Sequence, residues 1–258
     1  MVVNGDEIFS RSRRLLGDKA MAHMADARVI VFGIGGVGSW CVESLVRSGI
    51  GHITIVDCDR VSVSNINRQL MATNETVGLI KVDAMKSHLL TINPQLDIDA
   101  RCAVYTAETA EKFDLDSYDY VIDAIDSLKD KMLLIENATR SRAKFYSSMG
   151  AALKLDPTRI KVAEFSKVEG CPLARALRQR FKKTQRWPRR KFQCVYSDEL
   201  LENLGESDES CEIGSADPSG LTASVKARIN GSLMHITAIF GLTLSGLVIE
   251  EIVKRSCD

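Results

Sequence analysis

Short apolar runs alternate with stretches of helical periodicity over residues 28–150. The apolar runs are "RVIVF" at 28–32, "HITIVD" at 52–57, "LDIDARCAV" at 96–104, "YDYVIDAID" at 118–126 and "AKFYSSMG" at 143–150. The helical stretches between them include "VGSWCVESLVRSG", which ends at a glycine, and "KVDAMKSHLLTIN", which Pro94 ends. Strands that alternate with helices predict right-handed crossovers and an α/β fold with a doubly wound, mainly parallel sheet.

The pattern is different on either side of this region. Residues 1–27 have helical periodicity, and "ALKLDPTRIKVAEF" at 152–165 predicts two strands joined by an Asp-Pro turn, which would extend the sheet with antiparallel strands. Residues 166–225 are loop-rich, apart from a predicted helix near 172–183. The closing apolar stretch at 232–256 is interrupted by Gly241, Gly246 and Glu250, so it predicts a buried helix and no membrane span.

Composition places the chain among ordinary globular proteins. It has 258 residues, 45% of them hydrophobic and 26% charged, with a net charge of zero. The zero sum conceals nine basic and no acidic residues at 175–191, followed by seven acidic and no basic residues at 198–212. The seven cysteines are scattered and contain no Cys-x-x-Cys pair, which predicts reduced thiols in the cytoplasm and gives no support for a thiolate zinc site.

A glycine-rich turn follows the first predicted strand. Gly33, Gly35 and Gly38 fit Gly-x-Gly-x-x-Gly, with Gly36 between them, and a helix follows at once. Backbone N–H groups and the positive end of a helix favour a phosphate there. Asp57 ends the next strand, where a carboxylate that binds ribose is expected. A close strand-to-helix crossing without a ligand is the alternative.

Polar and cationic residues follow this turn along the chain. Asn65, Arg68 and Gln69 come just after the second strand, and Lys81 starts another helix. Asp126 follows the strand "YVID", where a carboxylate could hold Mg2+ beside a phosphate. Two cations and an acid around a glycine loop suit phosphate chemistry. Taken singly, Arg68 could be a surface charge, Lys81 a solvated helix residue and Asp126 a helix N-cap.

The elements "FSRSRRLLG", "GIGGVGS", "VDCDRVSVSNINRQ", "VGLIKV" and "DAIDS" occur in this order over residues 9–127. Together they resemble the ThiF/MoeB/HesA superfamily of adenylating enzymes, which are relatives of ubiquitin-activating enzymes. The resemblance implies that the glycine loop lies under the phosphates of ATP and that Asp57 holds the ribose. It further implies that Arg68 and Lys81 bind the phosphates, that Asp126 holds Mg2+, and that Arg11 reaches the partner's active site in a homodimer.

The second half of the chain resembles one branch of this superfamily. "MGAALKLDPTRIKVAEF", Pro-Leu-Ala-x-x-Leu-Arg-x-Arg at 172–180 and "QCVYSDE" are similar to enzymes that dehydrate threonylcarbamoyladenosine in tRNA through an acyl-adenylate. This similarity predicts a single domain at 1–258, with a Rossmann-like nucleotide-binding half at 28–150 and a substrate and dimer half at 151–258 that contains the charged loop region at about 170–225. Two alternatives are an adenylyltransferase for the Gly-Gly terminus of a ubiquitin-like sulfur carrier and a non-catalytic nucleotide-binding module.

The basic stretch fits a tRNA partner. A helix that starts at Pro172 would turn Leu173, Leu177 and Phe181 inward and leave its basic residues outward. Basic side chains contact phosphates and an aromatic ring stacks on a base. The candidate tRNA contacts are Arg175, Arg178, Arg186, Trp187, Arg189 and Arg190.

The cysteines give no catalytic assignment. Some members of the branch carry a cysteine shortly before the position of Gly231, where this chain has "VKARINGS". Cys171, Cys194 and Cys211 are alternatives, and unreactive thiols are the expected outcome for all three. The resemblance leaves a cysteine desulfurase or a sulfur acceptor as a possible partner.

Overall fold

The computed structural model of the chain describes residues 5–205 and 230–257. Its helices are α1 Gly5–Ile8, α2 Ser10–Asp26, α3 Gly38–Ser48, α4 Lys81–Ile92, α5 Leu128–Ala138, α6 Pro172–Thr184 and α7 Met234–Cys257. Its strands are β1 Arg28–Phe32, β2 His52–Val56, β3 Asp97–Arg101, β4 Tyr120–Asp123, β5 Lys144–Ser148, β6 Ile160–Glu164 and β7 Gln193–Ser197.

All seven strands belong to one sheet, in the order β3-β2-β1-β4-β5-β7-β6. Every neighbouring pair is parallel except β6 and β7, which are antiparallel. The predicted mainly parallel α/β sheet with an antiparallel extension is therefore confirmed. The chain runs outward from β1 to β2 and β3 and then crosses back to β4 on the other side of β1, and a reversal of this kind opens a crevice at the carboxyl ends of the strands.

The antiparallel extension differs in detail from the prediction. Only the second of the two strands predicted at 152–165 forms, as β6. The segment before it is irregular because the backbone N–H groups of Leu155 and Asp156 donate to the carboxylate of Glu199, at 2.8 and 3.0 Å. The partner of β6 is β7, a strand within the stretch predicted to be loop-rich, and four of its five residues are buried. Residues 206–225 of the predicted loop region lie outside the described residues.

Helices cover both faces of the sheet. One core contains side chains from α2, α3, α4 and α7, and a second core on the opposite face contains side chains from α5 and α6. α6 confirms the predicted helix near 172–183, and α2 confirms the helical pattern before β1. Because helices cover both faces of the sheet, a ligand can approach its carboxyl edge, where the strand ends and the helix N-termini lie.

The C-terminal helix α7 packs closely against α3. It is long and apolar enough to cross a membrane by length and composition, but half of it is buried in the fold. Its buried stripe repeats every fourth residue, at Ile236, Phe240, Leu244, Val248 and Ile252. The two helices approach closely at Gly241, where an added Cβ would lie 2.3 Å from the carbonyl oxygen of Val37. This close approach brings the start of α7 to the glycine loop.

Candidate nucleotide site

A cavity of about 740 Å³ opens at the carboxyl edge of the sheet. Its walls come from the segments that follow β1, β2, β3, β4 and β5, and from the first residues of α4, α6 and α7. Helix N-termini carry unpaired N–H groups and a partial positive charge. The cavity therefore has a size and an electrostatic character that suit an anionic ligand.

The four glycines of the loop divide into two pairs. Gly33, Gly35 and Gly36 all line the cavity, and at Gly35 and Gly36 the lack of side chains leaves the backbone N–H groups open. Gly33 has φ +87°, and a Cβ on it would lie 2.7 Å from the carbonyl oxygen of Ala124. A Cβ on Gly38 would lie 1.8 Å from the carbonyl oxygen of Gly33. The second pair therefore permits the tight turn and the close packing of α3.

Asp57 lines the cavity at the end of β2, as predicted. Its Oδ2 accepts from the backbone N–H of Ile34 in the glycine loop at 2.7 Å, and its Oδ1 accepts from the N–H of Asp59 at 2.9 Å. The carboxylate therefore fixes the loop and has lone pairs left for a ribose hydroxyl.

Both predicted cations line the same cavity. The side chain of Lys81 is 7% exposed, and its Nζ lies 2.8 Å from Oδ2 of Asp59. Arg68 donates through Nη1 to the carbonyl oxygen of Ser64 at 2.9 Å and to Oδ1 of Asn67 at 2.8 Å. Sequence reasoning missed Asp59, although the repeated acid in "DCD" was a signal for it.

The two amides of "NINRQ" have different surroundings. Asn65 is buried and is not among the residues that line the cavity; its Oδ1 accepts from the N–H of Ser62 and closes a capping box around a short 3-10 helix. Gln69 does line the cavity and is 5% exposed. Its Oε1 has no hydrogen-bond partner within the described part of the chain.

The acidic side chains at and after the end of β4 also have different surroundings, since one faces the cavity and another is buried. Asp126 is exposed to the cavity, with Asp130 one turn further on, and Ser127 rather than Asp126 is the N-cap of α5. Asp123, the last residue of β4, is fully buried, and its charge is compensated by Nζ of Lys131, 2.8 Å from its Oδ2, and by Oγ of Ser147, which donates to the same oxygen at 2.7 Å. No group of three or more potential metal-binding side chains occurs among the described residues. The two carboxylates that line the cavity, Asp126 and Asp130, fit Mg2+, which is held by one or two carboxylates together with phosphate oxygens.

The remaining predicted residues lie outside the cavity. Arg11 is exposed on α2. Three of the candidate tRNA contacts have partners within the fold: Arg178 donates to the carbonyl oxygen of Phe165, Arg186 pairs with Glu136, and Arg190 donates to the carbonyl oxygens of residues 138, 139, 141 and 143. Arg175, Arg189 and Trp187 are exposed, and Trp187 stacks on Phe181.

Of the cysteines near the site, some are buried and others are exposed. Cys171 and Cys194 are both buried, and burial raises the pKa of the Cys194 thiol above its usual range. Cys194 therefore has the properties expected of an unreactive thiol. Cys211 lies outside the described residues. Cys58 and Cys102, at the ends of β2 and β3, are exposed.

Comparison with known proteins agrees with this geometry. The sequence profile of the ThiF family matches residues 9–256. The tRNA threonylcarbamoyladenosine dehydratase of Bacillus subtilis is 36% identical over 246 residues, which cover 95% of this chain and 94% of the relative. Crystal structures of the Escherichia coli tRNA N6-threonylcarbamoyladenosine dehydratase with ATP and with AMP match with TM-scores of 0.83 and 0.84, at 32% identity, and cover 100% of this chain and 99% of the matched chain.

Proposed function

The chain belongs to the ThiF family, and we propose that it is an ATP-dependent tRNA threonylcarbamoyladenosine dehydratase. The observation that supports this most directly is the cavity, in which the glycine loop, Asp57, Arg68 and Lys81 converge on one space. Relatives with this name match the chain over almost its whole length, and one of them has been crystallised with ATP and with AMP.

The cavity residues have separate tasks in the proposed reaction. Asp57 holds the ribose, and the open N–H groups of Gly35 and Gly36 bind phosphate oxygens. Lys81 and Arg68 offset the charge that builds up when a carboxylate approaches the α-phosphate and pyrophosphate leaves. Because Asp59 already pairs with Lys81, the ammonium group is held in place before the nucleotide arrives.

The reaction divides into two steps. A carboxylate oxygen of the threonylcarbamoyl group bonds to the α-phosphorus of ATP, and the bond to the β-phosphate breaks to release pyrophosphate. The ureido group then attacks the activated carbonyl carbon, its proton passes to solvent, and AMP leaves with the former carboxylate oxygen. Because the second step is intramolecular, it needs no covalent intermediate with the enzyme.

Magnesium is the metal that the donor set suits. Asp126 would hold it, with Asp130 close enough in the helix to assist, and the phosphates would supply the other oxygen ligands. When bound, the ion neutralises phosphate charge. The carboxylate of Asp126 makes no hydrogen bond or ion pair with another described residue, which leaves it available for this role.

The tRNA would lie along the basic face of α6 and the segment after it. Arg175, Arg189 and Trp187 are exposed and available, whereas Arg178, Arg186 and Arg190 already have partners in the fold. Lys182 and Lys183 add two exposed charges in the last turn of α6. We therefore assign the phosphate contacts to Arg175 and Arg189 and a base contact to Trp187, while Arg178, Arg186 and Arg190 shape the surface.

Three further proposals rest on the resemblance. The enzyme acts in the cytoplasm as a homodimer, in which the exposed Arg11 reaches the nucleotide cavity of the other protomer. A sulfur-handling protein, either a cysteine desulfurase or a sulfur acceptor, is a partner. The exposure of Arg11 is compatible with the role across the dimer, since a buried arginine could not reach a second chain.

The function is tested with purified protein, ATP and tRNA that carries threonylcarbamoyladenosine. We expect AMP and pyrophosphate in equal amounts and a nucleoside that has lost one water, measured by mass spectrometry. A Lys81→Met variant should lose this activity, and an Arg47→Met variant, altered at an exposed position outside the cavity, should keep it. Product that forms only with a Gly-Gly sulfur carrier, or no turnover with either substrate, would overturn the proposal.

A further inference from the structure

The cavity extends well beyond the part that a nucleotide needs. It runs along the carboxyl ends of β3, β2, β1, β4 and β5, which are adjacent strands, so its two ends lie about 19 Å apart. Asp57 marks the β2 end and the glycine loop follows β1. A ribose at Asp57 and phosphates on the loop leave the β5 end of the cavity for another molecule.

Three consecutive residues form the wall at the β5 end. Gly150, Ala151 and Ala152 line the cavity and are partly exposed to it. The residues on either side are tied into the fold, because the N–H of Met149 donates to Val195 and that of Leu153 donates to Gly231. Within the described part of the chain, the N–H groups of the three wall residues have no acceptor. Unpaired backbone N–H groups in a cavity favour an anion.

This wall continues to the phosphate side through the start of α7. The carbonyl oxygen of Ser232, which lines the cavity, accepts from Nδ2 of Asn67 at 3.0 Å. Thr237 packs on Gly36, where an added Cβ would lie 3.2 Å from the threonine Cβ. Gln69 lines the cavity beside the glycine loop, where an added Cβ on Gly35 would lie 3.9 Å from its Nε2. Its buried Oε1 lacks a donor, so this atom can accept a hydrogen bond from a hydroxyl or N–H group of a ligand.

We propose that the β5 end of the cavity is the acyl compartment, in which the N–H groups of Gly150, Ala151 and Ala152 hold the carboxylate of the threonylcarbamoyl group. This inference rests on the proposed function. The small side chains let the substrate approach the backbone, and Leu173 at the start of α6 gives an apolar contact for the threonine methyl group. The bound carboxylate then faces the α-phosphate from the side opposite to Asp57.

A matched pair of substitutions tests the location. Ala151→Leu and Ala103→Leu make the same change at the two ends of one cavity. We expect Ala151→Leu to lower kcat/KM for the modified tRNA at least about tenfold and to leave the Kd for ATP unchanged. Ala103→Leu should weaken ATP binding. Lys254→Met, altered at an exposed position of α7 that does not line the cavity, should match the wild type in both measurements.

The hydrogen bonds are tested by NMR with the free nucleoside. Addition of threonylcarbamoyladenosine to the ATP-saturated protein should shift the amide resonances of residues 150–152, and its methyl ester, which lacks the carboxylate, should not. Equal activity of Ala151→Leu and wild type, or equal shifts with acid and ester, would overturn the compartment. Because wild-type turnover is measured in the same experiment, a missing wild-type reaction would instead refute the proposed function.

Discussion

Replacing Lys131 with methionine tests how the segment that carries Asp126 is held. Lys131 and Asp123 are both fully buried, with Nζ 2.8 Å from Oδ2. The same Nζ donates to the carbonyl oxygen of Ile125 at 2.9 Å, and the N–H of Ile125 donates to Oδ1 of Asp123 at 3.0 Å. The ion pair therefore clamps the two residues, Ala124 and Ile125, that lead from β4 to Asp126.

The expected loss follows from what the substitution leaves behind. Methionine has a similar length but no charge, so the carboxylate of Asp123 stays buried without its counter-ion. Removal of one partner of a buried pair costs about 3–5 kcal/mol. Urea denaturation followed by circular dichroism should report this loss, and the KM for ATP should rise because Asp126 is displaced.

Two control variants make the reasoning refutable. Lys254→Met removes an exposed partner of Glu250 and should leave the unfolding midpoint unchanged. The double variant Asp123→Asn with Lys131→Met removes both charges and should be more stable than Lys131→Met alone. If Lys131→Met lost less than about 1 kcal/mol, or if the double variant were the less stable, the clamp would be refuted.

Three other predictions concern the surface, the thiols and pH. Arg190→Ala should destabilise the fold by about 2 kcal/mol or more, since several carbonyl groups lose a charged donor, whereas Arg189→Ala should weaken only tRNA binding in a filter assay. Iodoacetamide should label Cys102 in the native protein and, more slowly, Cys58, whose pKa is raised by partial burial and by the carboxylates of Asp59 and Asp57. ATP should protect Cys58, and Cys41, Cys171 and Cys194 should not react, so mass spectrometry that finds native Cys194 labelled would contradict its burial. Hydrogen bonds from Lys161, and next from Arg159, hold the pKa of Asp198 below its usual range. These bonds therefore stabilise the fold at neutral pH, and the stabilisation is lost as the pH falls through the lowered pKa. In an Asp198→Asn variant, the loss of stability on acid titration should be smaller by this contribution.

Local periodicity predicted most of the sheet because β1, β2, β4 and β5 are short and largely buried, and because the helices that follow β1 and β2 stop at Gly49 and before Pro94. β7 was missed for a physical reason. Only its interior residues are apolar, and basic residues precede it while acidic residues follow it, so the segment resembles a solvated loop. Its strand conformation depends on pairing with β5 and β6, which are distant in sequence.

The sequence predicted those site residues whose type and spacing suit a ligand. It did not predict the residues whose role depends on contacts made in the folded chain. The glycines, Asp57 and Lys81 were predicted because their chemistry is local and their spacing is characteristic. Asn65 and Arg190 are polar residues of types that also bind ligands, but here they serve folding. Asn65 closes a capping box, and Arg190 donates to a set of backbone carbonyl groups. Asp59 matters only because α4 brings Lys81 against it. Such partners are set by tertiary packing and leave no periodic signal.

The contact between Gly241 and the start of α3 links the order of synthesis to activity. The glycine loop is translated early, whereas the segment that supports it, Ser232 and the first two turns of α7 as far as Gly241, is translated near the end of the described chain. A nascent chain that has formed β1 and β2 therefore holds an open loop without its support. Because the ribosome releases the residues of the glycine loop long before those of α7 that complete the cavity, we expect the chain to bind nucleotide only after α7 has docked.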